Sequence, residues 1–328
     1  MGVSTIVDKL LEIEALKKYF PIRGGILSRT VSFIHAVDDV SFDIYEGQTF
    51  GLVGESGCGK TTLGRCILLL IQPTAGKIIF SGQNLLDLTK KDLRKLRSQM
   101  AMIFQDPYSS LNPRMTVSDI IGQPLQIHKV AKGKDRRRKV IELMKNVGLS
   151  PEHLYRYPHE FSGGQKQRIG IARALAVNPK LVVADEAVAA LDVSVRASIL
   201  NLMQDLQKDF GLTYLFISHD LSVVKHICDR VAVMYLGEII EIAETEELFT
   251  SPLHPYTKAL MSAIPIPDPT LRMEKIILPG EPSTPIDPPP GCRFNKRCLY
   301  ATERCRKSGP DLVEVSKGHH IACHEFDN

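Results

Sequence analysis

The chain has 328 residues, enough for one large α/β domain or for a core domain with an appendage. Apolar residues make up 44% of it and charged residues 24%, as in an ordinary soluble globular protein. Its 41 basic and 37 acidic residues leave a net charge of +4, a near balance that gives no indication of nucleic-acid binding.

No apolar run is long enough to cross a bilayer. The longest conspicuous one, residues 66–71, is far shorter than the roughly 20 residues that a spanning helix needs. At the N-terminus, Asp8, Glu12 and Glu14 lie among apolar residues, which is not typical of a signal peptide. We therefore expect the chain to remain in the cytoplasm.

The first half of the chain shows two kinds of periodicity. Apolar residues alternate at residues 40–44 and 77–80, with glycines marking turns, which predicts an antiparallel β subdomain. Residues 108–160 have helical periodicity and predict a helical subdomain. Within it, the basic run 132–139 is expected to be a solvated loop or helix face.

The second half begins with a pattern typical of a parallel sheet. Nearly continuous apolar runs start at Leu181, Leu212 and Val231, as expected for strands that helices cover on both faces. Repeated prolines from Pro265 to Pro290 then predict an extended connection to a small Cys-rich unit.

Residues 54–61 read GESGCGKT and fit the pattern G-x-x-x-x-G-K-[ST] between an apolar run and a helical stretch. Glycines allow backbone N–H groups to surround phosphate oxygens, and the following helix points its positive end at the same anion. Lys60 would hold the β and γ phosphates, and the Thr61 hydroxyl would bind Mg²⁺. The predicted ATP contacts are Gly54, Glu55, Ser56, Gly57, Cys58, Gly59, Lys60, Thr61 and Thr62.

Two carboxylates follow the apolar run that starts at Leu181. Asp185 would hold Mg²⁺ through water, and Glu186 would activate the attacking water as general base if the chain turns at the end of the strand. The alternative interpretation of this pair is an acidic helix cap.

Residues 161–165 read FSGGQ at the start of a helical pattern, which offers a second anion-binding arrangement of backbone amides. It would be redundant within one chain but useful if it closed on a phosphate held by a second subunit. Here the sequence resembles the ATP-binding subunits of ABC transporters, whose signature LSGGQ this would be. The resemblance implies contacts in trans from Ser162, Gly163, Gly164, Gln165 and the D-loop residue Asp192.

The same resemblance implies roles for residues outside these motifs. Gln105 matches the Q-loop glutamine, which touches Mg²⁺ and the attacking water, and His219 matches the switch histidine that contacts the γ-phosphate. With Glu186, they form the implied catalytic set. Tyr19 falls where the family stacks an aromatic ring on adenine, with Phe20 as the alternative.

Three positions depart from the family pattern. Phe161 replaces the usual leucine, Ala187 stands where proline usually follows the catalytic glutamate, and Ala189 is commonly serine. None of them removes a ligand. Proline would fix φ after Glu186, so Ala187 could loosen the turn that aims the general base.

Residues 105–117 and 278–294, with the long insertion at 20–36, resemble the ATP-binding subunits of oligopeptide and dipeptide importers. This implies a peripheral protein on the cytoplasmic face of the membrane, bound to two membrane-spanning permease subunits and served by an extracytoplasmic substrate-binding protein. It also implies a dimer with a paralogous ATPase subunit or a second copy. The sequence does not distinguish between dipeptides, oligopeptides, glutathione and nickel as the transported cargo.

Four cysteines crowd the C-terminus with the spacing C-x5-C-x6-C-x17-C: Cys292, Cys298, Cys305 and Cys323. Four thiolates could hold a [4Fe–4S] cluster or zinc, and His319, His320 and His324 add possible zinc ligands. No C-x-x-C pair is present, and resemblance to importers thought to carry a cluster favours iron and sulfur. Free thiols are the remaining alternative.

Two other function classes compete with this hypothesis. A soluble ABC ATPase of DNA repair or translation usually has two ATPase domains or a long coiled coil, and the sequence shows neither. An iron–sulfur redox enzyme would need a flavin or nicotinamide fingerprint, which is absent from the sequence.

The sequence thus predicts an α/β fold with a P-loop NTPase core of ABC type, an antiparallel β subdomain and a helical subdomain. This core would occupy residues 1–262, and the Pro-rich connection and Cys-rich extension would occupy residues 263–328.

Overall fold

The computed structural model describes residues 8–24, 29–106, 110–264, 275–280, 284–288 and 290–326. These residues group into two compact units. The first contains the described residues up to Leu11, Ile44–Thr49 and Phe80–Ile217. The second contains Glu12–Asp43, Phe50–Ile79 and the described residues from Ser218 onward. Among all the described residues, no helix has the length and apolarity needed to span a membrane.

Strands and helices alternate along much of the chain. The strands are β1 (Lys9–Gly24), β2 (Arg29–Tyr45), β3 (Thr49–Val53), β4 (Ala75–Phe80), β5 (Gln83–Asn84), β6 (Met100–Ile103), β7 (Leu181–Asp185), β8 (Thr213–Ile217), β9 (Arg230–Tyr235), β10 (Glu238–Glu244), β11 (Val313–Ser316) and β12 (His319–Ile321). The helices are α1 (Lys60–Ile67), α2 (Lys90–Leu96), α3 (Val117–Ile127), α4 (Gly133–Asn146), α5 (Gly163–Leu175), α6 (Val193–Phe210), α7 (Leu221–Ile227), α8 (Thr245–Thr250), α9 (Pro255–Ser262) and α10 (Glu303–Lys307).

The first unit has a parallel sheet at its centre. Strand β6 pairs with β7, and β7 pairs with β8, all in parallel. Every residue of β7 and β8 is buried, which explains why their sequences are nearly continuous apolar runs. The parallel strands predicted at Leu181 and Leu212 are therefore confirmed.

Helices α3 and α4 lie within residues 108–160, where the sequence has helical periodicity, and the bounds of the helical subdomain remain a prediction. Helix α3 begins after Thr116, whose hydroxyl accepts a hydrogen bond from the Asp119 N–H at 3.2 Å. The basic run belongs to α4, where Val140, Leu143 and Met144 form the buried face. Residues 107–109, which are part of the peptide-importer segment, lie outside the described residues.

The second unit contains a mixed sheet. Strand β3 pairs with β9 in parallel, β9 pairs with β10 in an antiparallel hairpin, and β12 adds to β10 antiparallel. Strands β2, β1 and β4 are neighbours, in this order, in another sheet. Strands β1 and β2 also account for most of the insertion at residues 20–36, apart from residues 25–28, which are not described.

The C-terminal tail is held in this second unit by a partly buried cluster of ion pairs. His319 on β12 lies 2.8 Å from Glu241 and 2.9 Å from Glu247. His319 and Glu241 are almost completely buried, and the hydrogen bond with Glu241 and that with Glu247 raise the pKa of His319. The described tail residues thus share a compact unit with the P-loop. The division at residues 262 and 263 remains a prediction.

Candidate functional site

The glycine-rich loop between β3 and α1, which is predicted to bind phosphate, requires glycine at two of its positions. Gly54 has φ 152° and Gly59 has φ 112°, in the region that side chains rarely adopt. A Cβ atom would lie 2.2 Å from the Met234 carbonyl oxygen at Gly54 and 2.0 Å from the Ala36 carbonyl oxygen at Gly59. The loop backbone is therefore packed too closely to accept any other residue there.

Lys60 begins α1 and reaches back across this loop. Its Nζ donates hydrogen bonds to the carbonyl oxygens of Gly54 at 2.7 Å and Glu55 at 2.9 Å. The side chain is only 4% exposed, so its charge is kept close to the loop backbone. A cation held over a ring of backbone amides could bind a polyphosphate.

Cys58, which is part of the same loop, is buried, and burial raises the pKa of its thiol. A thiol with a raised pKa is mostly protonated at neutral pH and is a poor nucleophile. Cys58 is therefore better described as a small residue of the loop than as a reactive thiol.

Tyr19 on β1 lies beside charged groups of β2. Its ring stacks on His35 at a centroid distance of 4.1 Å, and its hydroxyl donates a hydrogen bond to Asp38. Burial, the hydrogen bond to Asp38 and the charge of Asp38 raise the pKa of Tyr19, so the phenol stays neutral. An adenine ring would have to stack on the face of Tyr19 opposite His35.

His219 lies in the second unit, just before α7. The preceding residue, Ser218, donates its N–H to the carbonyl oxygen of Leu52 at 3.1 Å, which places this segment beside the strand that leads into the P-loop. The imidazole of His219 is exposed. The structure thus brings His219 to the same strand end as Gly54.

The first unit brings Gln105 and Glu186 together. Gln105 Nε2 donates a hydrogen bond to Glu186 Oε2 at 2.6 Å. Asp185, the last residue of β7, is 2% exposed, whereas the next residue has φ 47°. Glu186 therefore lies in a left-handed turn directly after the strand, and the separate roles of the two carboxylates remain predictions.

The FSGGQ segment forms the start of α5 with a capping box. Ser162 Oγ accepts from the Gln165 N–H at 3.4 Å, and Gln165 Oε1 accepts from the Ser162 N–H at 3.0 Å. A Cβ atom at Gly164 would lie 2.4 Å from Val195 Cγ1 on α6, so glycine allows α5 and α6 to approach closely. The motif therefore fixes a helix N-terminus, as an anion-binding function would require.

Asp192 begins α6 as its N-cap. Its carboxylate accepts hydrogen bonds from the Val195 N–H at 3.0 Å and from the Ser194 hydroxyl at 2.9 Å. The hydrogen bond from Val195 is the main reason that the pKa of Asp192 is lowered. Asp192 is therefore ionised at neutral pH and fixes the turn that would present the D-loop.

The four C-terminal cysteines line one cavity of about 340 Å³ in the second unit. His254, Phe294 and His324 also line it. Burial raises the pKa of Cys292 to about 12 and also raises the pKa of Cys298 and Cys323. In the part of the chain that the structure describes, no three His, Cys, Asp or Glu side chains are arranged to hold a single metal ion.

Sequence reasoning did not find the residues that join the tail to the P-loop. Arg297 donates to both carboxylate oxygens of Glu55 at 3.0 Å, and the Tyr256 hydroxyl accepts from the Glu55 N–H at 3.0 Å. These residues follow Glu55 by about 200 positions or more and belong to no pattern that a single sequence reveals.

Comparisons with known proteins place the chain in a family. The ABC transporter family matches residues 37–189, and the family described as the C-terminal region of oligopeptide/dipeptide transporters matches residues 240–305. The solved structure of MJ0796, a dimeric ATP-binding cassette in a post-hydrolysis state with ADP and phosphate, is 28% identical with a TM-score of 0.64. The match covers 72% of this chain and 98% of the MJ0796 chain. The chain is an ABC-type ATPase.

Two curated relatives narrow the family further. The oligopeptide transport ATP-binding protein AppF of Bacillus subtilis is 51% identical over 97% of this chain and 98% of its own length. The dipeptide transport ATP-binding protein DppF of Haemophilus influenzae is 51% identical over 97% of both chains. The chain therefore belongs to the ATP-binding subunits of the oligopeptide and dipeptide ABC transporter family.

Proposed function

We propose that this chain hydrolyses ATP to energise the import of dipeptides or oligopeptides through membrane-spanning partner subunits. The observation that carries this proposal is the joint match of residues 37–189 to ABC transporters and of residues 240–305 to the C-terminal region of peptide transporters. Relatives named for oligopeptide and dipeptide transport are identical to this chain at about half of the aligned positions. Their names support peptides as the cargo.

The ATP site would use the motif residues described above. Lys60 and the P-loop amides would bind the phosphates, Tyr19 would stack on adenine, and His219 would contact the γ-phosphate. Glu186 would take the proton from the attacking water as general base, held for this role by Gln105. Thr61, Gln105 and Asp185 would hold Mg²⁺, which neutralises charge on the transferred phosphoryl group.

Dimerisation would complete each ATP site. The capping box at the start of α5 and the N-cap of α6 would present Ser162–Gln165 and Asp192 to ATP held by the other subunit. The likeness to a dimeric cassette bound to ADP and phosphate supports this arrangement. The second subunit would be a paralogous ATPase or another copy of this chain, and binding and hydrolysis would close and reopen the pair.

The dimer would act as a peripheral complex on the cytoplasmic face of the membrane. Two permease subunits would transmit its motion, and an extracytoplasmic binding protein would deliver the peptide to them. The match to transporter families supports these partners.

The test of the proposal is ATP hydrolysis by the chain assembled with its permease subunits in proteoliposomes. Binding protein loaded with peptide should stimulate hydrolysis more than the same protein loaded with glutathione or nickel. Equal rates with and without loaded binding protein would contradict coupling to import. A larger response to nickel or glutathione would keep the ATPase assignment and overturn the peptide cargo.

We also propose that the cysteine cavity holds a [4Fe–4S] cluster. All four cysteines line the same cavity, which supports a site built from four thiolates. Four cysteine thiolates are the usual ligands of a [4Fe–4S] cluster, and zinc is the alternative occupant.

Metal analysis after anaerobic purification tests this proposal. The wild-type chain should carry about four iron and four sulfide per chain and absorb in the visible range. The double variant Cys298→Ala/Cys305→Ala should lose both iron and sulfide. The control Cys66→Ala should keep them, because Cys66 is buried elsewhere in the core. About one zinc per chain without sulfide would exclude the cluster, and a protein free of metal would exclude both occupants.

A further inference from the structure

The tail segment 292–298 makes a direct ion pair with the P-loop. Arg297 Nη1 lies 3.0 Å from each carboxylate oxygen of Glu55, the second residue of the GESGCGKT motif. The Arg297 side chain is 10% exposed and that of Glu55 is 31% exposed, so the pair is only partly screened by water. A charge-assisted hydrogen bond in such surroundings is stronger than one on an open surface.

The position of Glu55 makes this pair important for an anionic ligand. Its backbone carbonyl oxygen accepts a hydrogen bond from Lys60 Nζ at 2.9 Å, so the carboxylate belongs to the loop that would surround the phosphates. Like charges close together repel, and a carboxylate on this loop would disfavour a polyphosphate. Arg297 supplies the opposite charge at hydrogen-bonding distance and cancels this repulsion.

Aromatic packing holds the same segment against the loop. The Phe294 ring lies 5.6 Å from that of Tyr256 and 5.3 Å from that of Tyr235. Tyr256 in turn accepts a hydrogen bond from the Glu55 N–H at 3.0 Å. Both the backbone and the carboxylate of Glu55 are therefore fixed from the C-terminal part of the chain.

A second arginine of the segment reaches the residues around Tyr19. Arg293 donates hydrogen bonds to Asp38, to Glu238 at 2.6 Å and to the Leu236 carbonyl oxygen at 2.8 Å. Asp38 accepts the hydroxyl hydrogen bond of Tyr19. The segment between Cys292 and Cys298 thus contacts the P-loop through Arg297 and the proposed adenine-stacking residue through Arg293 and Asp38.

We propose that segment 292–298 is a positioning element of the nucleotide site, in which Arg297 neutralises and orients Glu55 and thereby raises the affinity for ATP. The proposal rests on the proposed binding of ATP by the P-loop. Arg297 is a positioning residue because it acts through Glu55. Its loss should therefore change the affinity for ATP and leave the rate of hydrolysis at saturating ATP nearly unchanged.

The test is a double-mutant cycle on the full-length chain assembled with its partners. Arg297→Gln should weaken ATP binding and raise the KM for ATP by about 10- to 150-fold, the range for losing a charged hydrogen bond. In a Glu55→Gln background, which has no carboxylate to neutralise, Arg297→Gln should change binding less than about twofold. Lys317→Gln removes the same charge from an exposed side chain outside this segment and should leave binding unchanged.

Several outcomes would overturn the inference. An equal loss of ATP affinity for Arg297→Gln in both backgrounds would mean that Arg297 supports only the fold, and an unchanged affinity in both would mean that it has no role at the site. A fall in the maximal rate without a change in KM would also contradict it. Lys60→Ala tests the proposed function separately from the role of Arg297. Normal ATP binding by that variant would refute the proposed function of the P-loop itself.

Discussion

Glu186→Gln should bind ATP normally and hydrolyse it roughly 10²- to 10⁴-fold more slowly, the range for losing a positioned general base. The substitution is almost isosteric, and the amide oxygen of the new side chain can still accept the hydrogen bond that Gln105 donates at 2.6 Å. The local geometry should therefore survive while the ability to take a proton is lost. Single-turnover hydrolysis and equilibrium ATP binding, measured on the same preparation, separate these two effects.

Glu142→Gln is the matched control for this variant. Glu142 is exposed on α4, so the same chemical change there should alter neither binding nor turnover. Turnover by Glu186→Gln at the wild-type rate would refute the assignment of Glu186 as general base. Loss of ATP binding by this variant would instead indicate that Glu186 supports the local fold.

Lys60→Ala should weaken the binding of ATP by roughly 10- to 100-fold, because it removes a buried charge that would pair with phosphate oxygens. Lys60 also holds the loop through the carbonyl oxygens of Gly54 and Glu55. The variant should thus lose both charge and loop order. Equilibrium binding of ATP is the measurement, and thermal unfolding checks that the chain stays folded.

Lys90→Ala provides the comparison for Lys60→Ala, because Lys90 is an exposed residue of α2. It should bind ATP like the wild type. A Lys60→Ala chain that unfolds at the wild-type temperature and retains tight ATP binding would contradict the phosphate-binding role of the P-loop. If Lys60→Ala unfolds below the wild-type temperature, Lys60→Arg is the variant to measure. It keeps the charge and should bind ATP better than the alanine variant.

The P-loop and the turn at Glu186 could be predicted because their signals are local, whereas Gln105 was identified only through the resemblance to ABC transporters. A glycine-rich loop between a strand and a helix has few alternative structures, and the backbone at Gly54 and Gly59 leaves no room for a side chain. The buried strands were equally predictable from their continuous apolar runs. The left-handed conformation of Glu186 was foreseen only as a turn, since no pattern specifies its φ value.

The structure of the tail could not be predicted in the same way. Its prolines and cysteines suggested a separate appendage, but β12 pairs with β10, and His319 is buried between Glu241 and Glu247. These contacts join residues more than 70 positions apart, and neither strand pairing nor ion pairing at that range leaves a periodic signal. The contacts of Arg297 with Glu55 were missed for the same reason.

The capping box of α5 is a different case, because its signal was present in the sequence. Ser162 followed by Gln165 fits the pattern of a hydroxyl three residues before a glutamine at a helix start. The FSGGQ segment was interpreted only as an anion site. The structure shows that the serine and glutamine side chains also close the helix N-terminus through reciprocal hydrogen bonds with backbone N–H groups.

The central claim is that ATP hydrolysis by this chain drives peptide uptake. Its most direct test is the ATP-dependent accumulation of a labelled peptide in proteoliposomes that contain the permease subunits, the binding protein and this chain. We predict uptake with the wild-type chain and ATP, and none with Glu186→Gln under the same conditions. Uptake that proceeds at the wild-type rate with Glu186→Gln, or that does not require ATP, would contradict the account.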